Sequence, residues 1–305
     1  MSDASRAPTD PANAERIALW NSVLFDKFAR FRALVTASNG AHGRAALDRL
    51  PPRRGARVLE VGAGFGDFSL DLARAVGPEG EVVSLDAAER FVEAARLAFA
   101  SADRTDLAAL EARVGDAQTT ALGGPYDHVY ARFGTMFFAA PVAALANLRA
   151  SLVPGGTLCM VVWRRREATP SFVIAAEVVR RVLGLAPSPP PAPAPPEPGP
   201  FSMADPDLVS DQLLAAGFVD PTFARSDVPL LLGRDLDEAV AFALTLGPGG
   251  EVMRLAGPAA EARRPEIVQA LAEAFRPFAT SRGVASPSSA WIVTARAPTE
   301  KRPNP

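Results

Sequence analysis

Cysteine is almost missing from this chain. A single thiol, Cys159 inside the apolar run TLCMVVW, excludes both a disulfide framework and a cysteine-rich zinc site. Histidine is nearly as scarce, with His42 and His128 alone, so no metal centre is expected. Charge of one sign is absent too: 32 basic against 34 acidic residues give no overall attraction to a nucleic-acid backbone or an anionic membrane surface. No run approaches the ~20 apolar residues of a membrane span, and the start MSDASRAPTDPANAER lacks the apolar region of a signal peptide. What remains is 305 residues with 48% apolar content, enough for one large core. The expectation is a cytoplasmic globular protein whose partner is a small molecule.

Short β-rich runs alternate with helix-length segments: ARVLEVG, DFSLDLARAV, EVVSLD, AERFVEAARLAFASA, LEARVGDA, DHVYARFG, PVAALANLRASLV and TLCMVVW. That alternation predicts βαβ units and a mostly parallel sheet covered by helices on both faces. Residues 187–200, PSPPPAPAPPEPGP, hold nine prolines in fourteen positions and read as a stiff connector. The predicted layout is a disordered tail (1–14), a helical cap (15–50), a core (51–186), the connector, a C-terminal part of the sheet (201–297) and a second tail (298–305). A helical insertion over 236–282 precedes the last strand, AWIVTAR. Its apolar positions suit packing on the sheet or on a second copy in a homodimer.

Three glycines in five positions, Gly62, Gly64 and Gly66, lie where the first strand becomes a helix. Glycine there permits positive φ and lets a ligand approach the main chain at the positive end of a helix. The spacing is one residue short of the dinucleotide pattern G-x-G-x-x-G, and Asp67 adds negative charge where a pyrophosphate would sit. An adenosine joined to a zwitterionic amino-acid end fits better, with Glu60 attracting the ammonium. Asp86 ends the second strand, where a carboxylate accepts from ribose hydroxyls; Asp116 ends the third, where it accepts from an adenine amino group beside the Ala117 amide.

These residues, with VLEVGAGFGD, VVSLDAAERFVEAAR, GDAQ, YDHVYARFGTMFFAAPVAALANLRASLVPGG and PGPFSMADPDLVSDQLLAAGF, resemble the class I S-adenosylmethionine (SAM)-dependent methyltransferases, in the small-molecule branch likened to ubiquinone and menaquinone biosynthesis. The resemblance implies a Rossmann-like α/β fold with a seven-stranded sheet in the order 3-2-1-4-5-7-6, the last strand antiparallel. It implies SAM as cofactor, S-adenosylhomocysteine as product, and cofactor contacts from Glu60, Gly62, Ala63, Gly64, Gly66, Asp86, Ala87, Asp116, Ala117, Gln118, Arg132 and Phe133.

The acceptor walls expected on this reading are Trp20, Met136, Phe137, Phe138, Trp163 and Phe201, joined by Arg164 at the pocket mouth. Such aromatics suit an apolar or aromatic acceptor methylated at O, N or C. His42, flanked by glycines in NGAHGRAAL, is the one candidate base, on what reads as a flexible loop. Two other classes stay open: a nicotinamide-dependent oxidoreductase, disfavoured by the glycine spacing, and a non-catalytic SAM-binding partner protein. Nucleic-acid methylation is disfavoured, since ARFGTMFF stands where base-methylating enzymes carry an Asp/Asn-Pro-Pro-Tyr or Phe loop.

Overall fold

The computed structural model describes residues 11–188 and 197–299. The N-terminal part runs α1 (Pro11–Leu19), a kinked turn (Trp20–Leu24), α2 (Phe25–Arg30) and α3 (Arg32–Arg49). The core follows as β1 (Arg57–Val61), α4 (Asp67–Val76), β2 (Glu81–Asp86), α5 (Glu89–Ser101), β3 (Ala109–Val114), β4 (Tyr126–Arg132), α6 (Pro141–Ala150), β5 (Leu152–Trp163) and α7 (Pro170–Val182). The rest comprises α8 (Pro206–Ala215), β6 (Val219–Gly233), α9 (Leu236–Thr245), α10 (Gly247–Ala256), α11 (Pro258–Ala262), α12 (Arg264–Phe275), β7 (Ala279–Thr280) and β8 (Gly283–Arg296). No helix among the described residues is long and apolar enough to cross a membrane.

The strands form one eight-stranded sheet ordered β3-β2-β1-β4-β5-β8-β6, with β7 pairing only to β8. Leaving aside the two-residue β7, this is the order that the resemblance implied. Strands β1 to β5 pair in parallel, and β8 runs antiparallel to both β5 and β6. The parallel strands are apolar almost throughout because helices cover both faces: Val58, Leu59, Val82 and Val83 are fully buried. Helix α4 seals one side of β1 with Phe68, Leu72 and Val76, spaced four apart along one stripe.

Two differences from the expected layout are local. Helix α1 begins at Pro11, inside the segment expected to be a tail, and Pro at its first position is compatible with helix because that N–H has no intrahelical partner. The insertion, expected as helical, holds four short helices with breaks at Leu246, Gly257 and Arg263. Within it, α10 and α12 pack on α7 while α9 packs on β6, so it covers the sheet. Residues 1–10, most of the connector (189–196) and 300–305 lie outside the described residues.

Glu60 on β1 is a carboxyl among apolar neighbours, 1% exposed, and it accepts a hydrogen bond from the Ser69 hydroxyl on α4. Burial pushes its pKa from 4.5 up to about 8, with the Ser69 bond and Arg132 acting in opposition. The folded chain therefore holds a proton there at neutral pH, and stability falls as pH rises from about 4.5 through about 8, where the unfolded chain ionises first. Glu60→Gln removes that dependence. The melting temperatures of variant and parent should lie close together near pH 5 and separate with the variant higher near pH 9. A second prediction concerns Gly66, which enters α4 at φ 77°, where an added Cβ would stand 2.7 Å from the Phe99 ring and 3.0 Å from Ala95 Cβ. Gly66→Ala should cost about 1–3 kcal/mol in denaturant unfolding, from backbone strain and the clash together.

Candidate functional site

In an open parallel sheet the ligand crevice lies beyond the carboxyl ends of the strands where the order reverses, here between β1 and β4. A cavity of about 310 Å³ opens at that point. Its wall includes Gly62, Ala63, Gly64, Asp86, Ala87, Asp116, Ala117, Gln118, Arg132 and Phe133, ten of the twelve residues expected to contact the cofactor. Glu60 and Gly66 are not on the wall: Glu60 is buried on β1, and Gly66 closes the glycine turn against Ala95 and Phe99.

Each strand end presents a different polar group. The Asp86 carboxylate accepts the Gly64 amide at 2.9 Å through one oxygen and the Ala88 amide at 2.9 Å through the other. Burial raises its pKa and these main-chain donors oppose the shift. Asp116 accepts from the Gln118 amide at 3.0 Å and, through its other oxygen, from the side-chain amide of Asn13 on α1. The segment carrying it is held by Asn147 of α6, which donates to Ala117 O at 2.8 Å and Thr120 O at 2.9 Å. At the end of β4, Arg132 donates through Nη2 to Asp67 at 2.7 Å, while its Nη1 is buried with no hydrogen-bond partner among the described residues. Above the turn, the space that a Gly64 side chain would fill is open, with nothing within 4 Å.

The other half of the cavity is aromatic. Phe133 and Trp163 stack with ring centroids 4.2 Å apart and planes 22° from parallel. Phe133 holds φ 58°, uncommon for a bulky residue, and its amide donates to Val161 O on β5 at 2.8 Å. Trp163 meets Phe172 edge-on at 5.3 Å, and Trp20 meets Phe137 edge-on at 5.0 Å. Met136, Phe138 and Phe201 complete the expected acceptor wall. Sequence reasoning missed Asn13, Phe172, Phe242 and the Leu246–Pro248 turn, all of which line the cavity. Asn13, Arg16, Ile17 and Trp20 do follow helical spacing, so reading α1 as a helix would have revealed that face.

Two expected site residues are placed elsewhere. Arg164 follows Trp163 and, by strand alternation, leaves the cavity: it donates to Ser289 Oγ at 2.9 Å and lies over the Trp291 ring at 4.6 Å. His42 is on α3, not on a loop, and is fully buried. Its Nδ1 is 2.8 Å from Ser226 Oγ and its Nε2 3.0 Å from Ser288 Oγ. Ser288 donates to Val228 O, so it accepts from Nε2–H, leaving Nδ1 to accept from Ser226. Burial lowers the His42 pKa to about 4, and the ring is edge-on to both Phe133 and Trp163. It is a neutral strut behind the aromatic wall with both nitrogens engaged, which removes it as a base.

The residues on the wall fit SAM by their own chemistry. Paired acceptors at two strand ends suit ribose and adenine, the open space over Gly64 admits a ligand against the main chain, and the partnerless Arg132 nitrogen suits a carboxylate. Among the described residues no cluster of potential metal ligands accompanies them.

Residues 59–158 match a family described as a methyltransferase domain. Nocamycin O-methyltransferase of Saccharothrix syringae is 30% identical over 192 residues, covering 61% of this chain and 68% of that protein. Demethylmenaquinone methyltransferase of Staphylococcus aureus is 32% identical over 105 residues, 34% of this chain and 42% of its own length. Among solved structures, a SAM-dependent methyltransferase of Thermotoga maritima superposes with TM-score 0.51 at 14% identity, covering 92% of this chain and 99% of that one. A structure describing conversion of a disulfide bond into a thioacetal group during echinomycin biosynthesis gives TM-score 0.52 at 16% identity, over 84% of this chain and 81% of the other. Strand order, cavity chemistry and these relatives agree: the chain belongs to the class I SAM-dependent methyltransferases.

Proposed function

We propose that this protein methylates a small apolar or aromatic acceptor by in-line displacement, with the acceptor lying against the Phe133–Trp163 pair. The observation that carries this reading is the composition of one continuous cavity: the Asp86 and Asp116 carboxylates line one half and stacked aromatic rings line the other. Two relatives are named nocamycin O-methyltransferase and demethylmenaquinone methyltransferase, which supports a small organic acceptor.

When bound, SAM supplies a methyl group already made electrophilic by its sulfonium. The chain's own residues then have to bind, orient and exclude water. We assign the ribose hydroxyls to Asp86, whose oxygens each keep a lone pair beyond the Gly64 and Ala88 amides. The adenine amino group goes to Asp116 and the ring to the Ala117 amide. The amino-acid end faces the Asp67–Arg132 ion pair, which lines the cavity with opposite charges 2.7 Å apart: the ammonium meets Asp67 and the carboxylate meets Arg132 Nη1. Asp67 thus takes the role that sequence reasoning gave to Glu60, which is buried behind the turn.

On the acceptor side, Phe133, Trp163, Phe172 and Phe201 offer flat apolar faces that hold a planar molecule and keep water from the transfer path. Orientation of this kind supplies about 7–11 kcal/mol of a barrier when the reacting atoms are aligned. With His42 neutral and engaged at both nitrogens, the rate rests on that alignment.

Titration calorimetry with S-adenosylhomocysteine and, separately, NADH tests the assignment on the parent chain and on Asp86→Ala. S-adenosylhomocysteine should bind and NADH should not. Asp86→Ala should weaken the binding about ten- to hundredfold, the loss expected for hydrogen bonds to a charged group. Binding of NADH in its place, or an Asp86→Ala variant as tight as the parent, would sink the reading. Trp163→Ala should lower methyl transfer to aromatic acceptors while S-adenosylhomocysteine affinity stays within about twofold of the parent, since that ring faces the acceptor half.

A further inference from the structure

Helix α1 turns one face to the cavity, with Asn13, Arg16 and Ile17 on its wall beside Trp20 of the turn that follows. The two ends of this segment are held differently. Near the body, Asn21 accepts the Arg90 amide of α5 at 2.8 Å, and Trp20 packs against Phe28 and Phe137. Between this anchor and α2 the helix is broken at Ser22, with φ −133° and ψ −107°. At the far end the tie is Asn13, 5% exposed, whose side-chain amide donates to Asp116 Oδ2. Arg16 Nη2 also lies 3.7 Å from the exposed Glu197 carboxylate, and apart from the turn it leads into, α1 packs only sparsely on the body among the described residues.

The Asn13 contact has a specific chemical form. A primary amide N–H donating to a carboxylate offers what an adenine amino group offers. Asp116 Oδ1 already accepts from the main-chain and side-chain nitrogens of Gln118, at 3.0 and 3.2 Å. Oδ2 has only a long contact from Gln118, at 3.5 Å, besides Asn13, so it is the oxygen with room for a further donor and Asn13 takes it. We propose that α1 is a gate over the adenine end of the site, held at its Trp20–Asn21 end and latched by Asn13 on the carboxylate oxygen that adenine takes. The proposal rests on the adenine assignment made above. The latch keeps a nearly buried carboxylate paired when the site is empty, which matters because an unpaired buried charge is costly. Its consequence is competitive: cofactor affinity is reduced by the fraction of time the gate is shut, and re-latching assists release of the demethylated product.

Stopped-flow tryptophan fluorescence and calorimetry with S-adenosylhomocysteine test the gate on the full chain, in the parent, Asn13→Ala, Asn13→Asp and Asp116→Ala. In the parent the observed binding rate should level off at high ligand concentration, because opening becomes limiting. Asn13→Ala should raise that plateau and tighten binding about three- to tenfold, the scale of one charge-assisted hydrogen bond removed from the competing state. Asn13→Asp sets like charge against Asp116 and should raise the plateau further. Weaker binding in Asn13→Ala would show Asn13 clasping the bound ligand and overturn the gate, as would unchanged rates and affinity. Loss of binding in Asp116→Ala with Asn13→Ala unmoved overturns the gate alone. A parent chain that does not bind S-adenosylhomocysteine overturns the placement of adenine as well.

Discussion

Asp86 is the fixed point of the site. Its carboxylate, at the end of β2, takes one amide from the glycine turn after β1 and one from the start of α5, locking two neighbouring βα junctions into a single frame. Each such bond to a charged acceptor contributes on the order of 1.5–3 kcal/mol. The geometry follows from the sheet: β1 lies between β2 and β4 in parallel, with Val61 level with Leu85 and with Ala131. The carboxyl ends of three strands therefore open on one side. With β3 in parallel beside β2, the Asp86 carboxylate at the end of β2, the Asp116 carboxylate just after β3 and the Asp67–Arg132 pair joining the ends of β1 and β4 become one polar wall through register.

Opposite that wall the protein spends its rigidity on orientation. The Phe133–Trp163 stack is held from below by the His42 edge, from the strand side by the Phe133 amide on Val161, and laterally by Phe172. A side chain that sequence suggested for proton transfer is employed as a brace. Its two serine partners come from β6 and β8, so the antiparallel end of the sheet braces the aromatic wall although it lies away from the Asp86 and Asp116 carboxylates.

The fold was legible because its signals are local. Parallel strands read as apolar runs, the glycine turn and the Asp86 and Asp116 strand ends fall at fixed offsets from them, and ten of the twelve positions that the resemblance implied line one cavity. What escaped depends on long-range packing. His42 reads as a loop residue because Gly40 and Gly43 flank it, yet α3 runs through both because its buried face, Leu34, Ser38, His42 and Ala46, outweighs their poor helix propensity. Arg164 looked like part of the pocket because it adjoins Trp163, but strand geometry sends neighbours to opposite sides. Phe242 and Asn13 are distant in sequence from every motif, and only the closure of α9 and α1 over the sheet brings them to the cavity.

The insertion carries a consequence of its own. It leaves the sheet after Gly233 and re-enters at Gly283, and Gly233 is paired directly with Val284. The stretch between contributes Phe242, Leu246, Gly247 and Pro248 to the cavity wall but neither the Asp86 nor the Asp116 carboxylate. Its two ends therefore meet side by side at a junction the strands already hold, and the entropy of closing such a loop grows only slowly with its length. That part of the cavity wall is contiguous in sequence and bounded by two paired strands, so its length and side chains can change without disturbing the strand ends that carry Asp86 and Asp116.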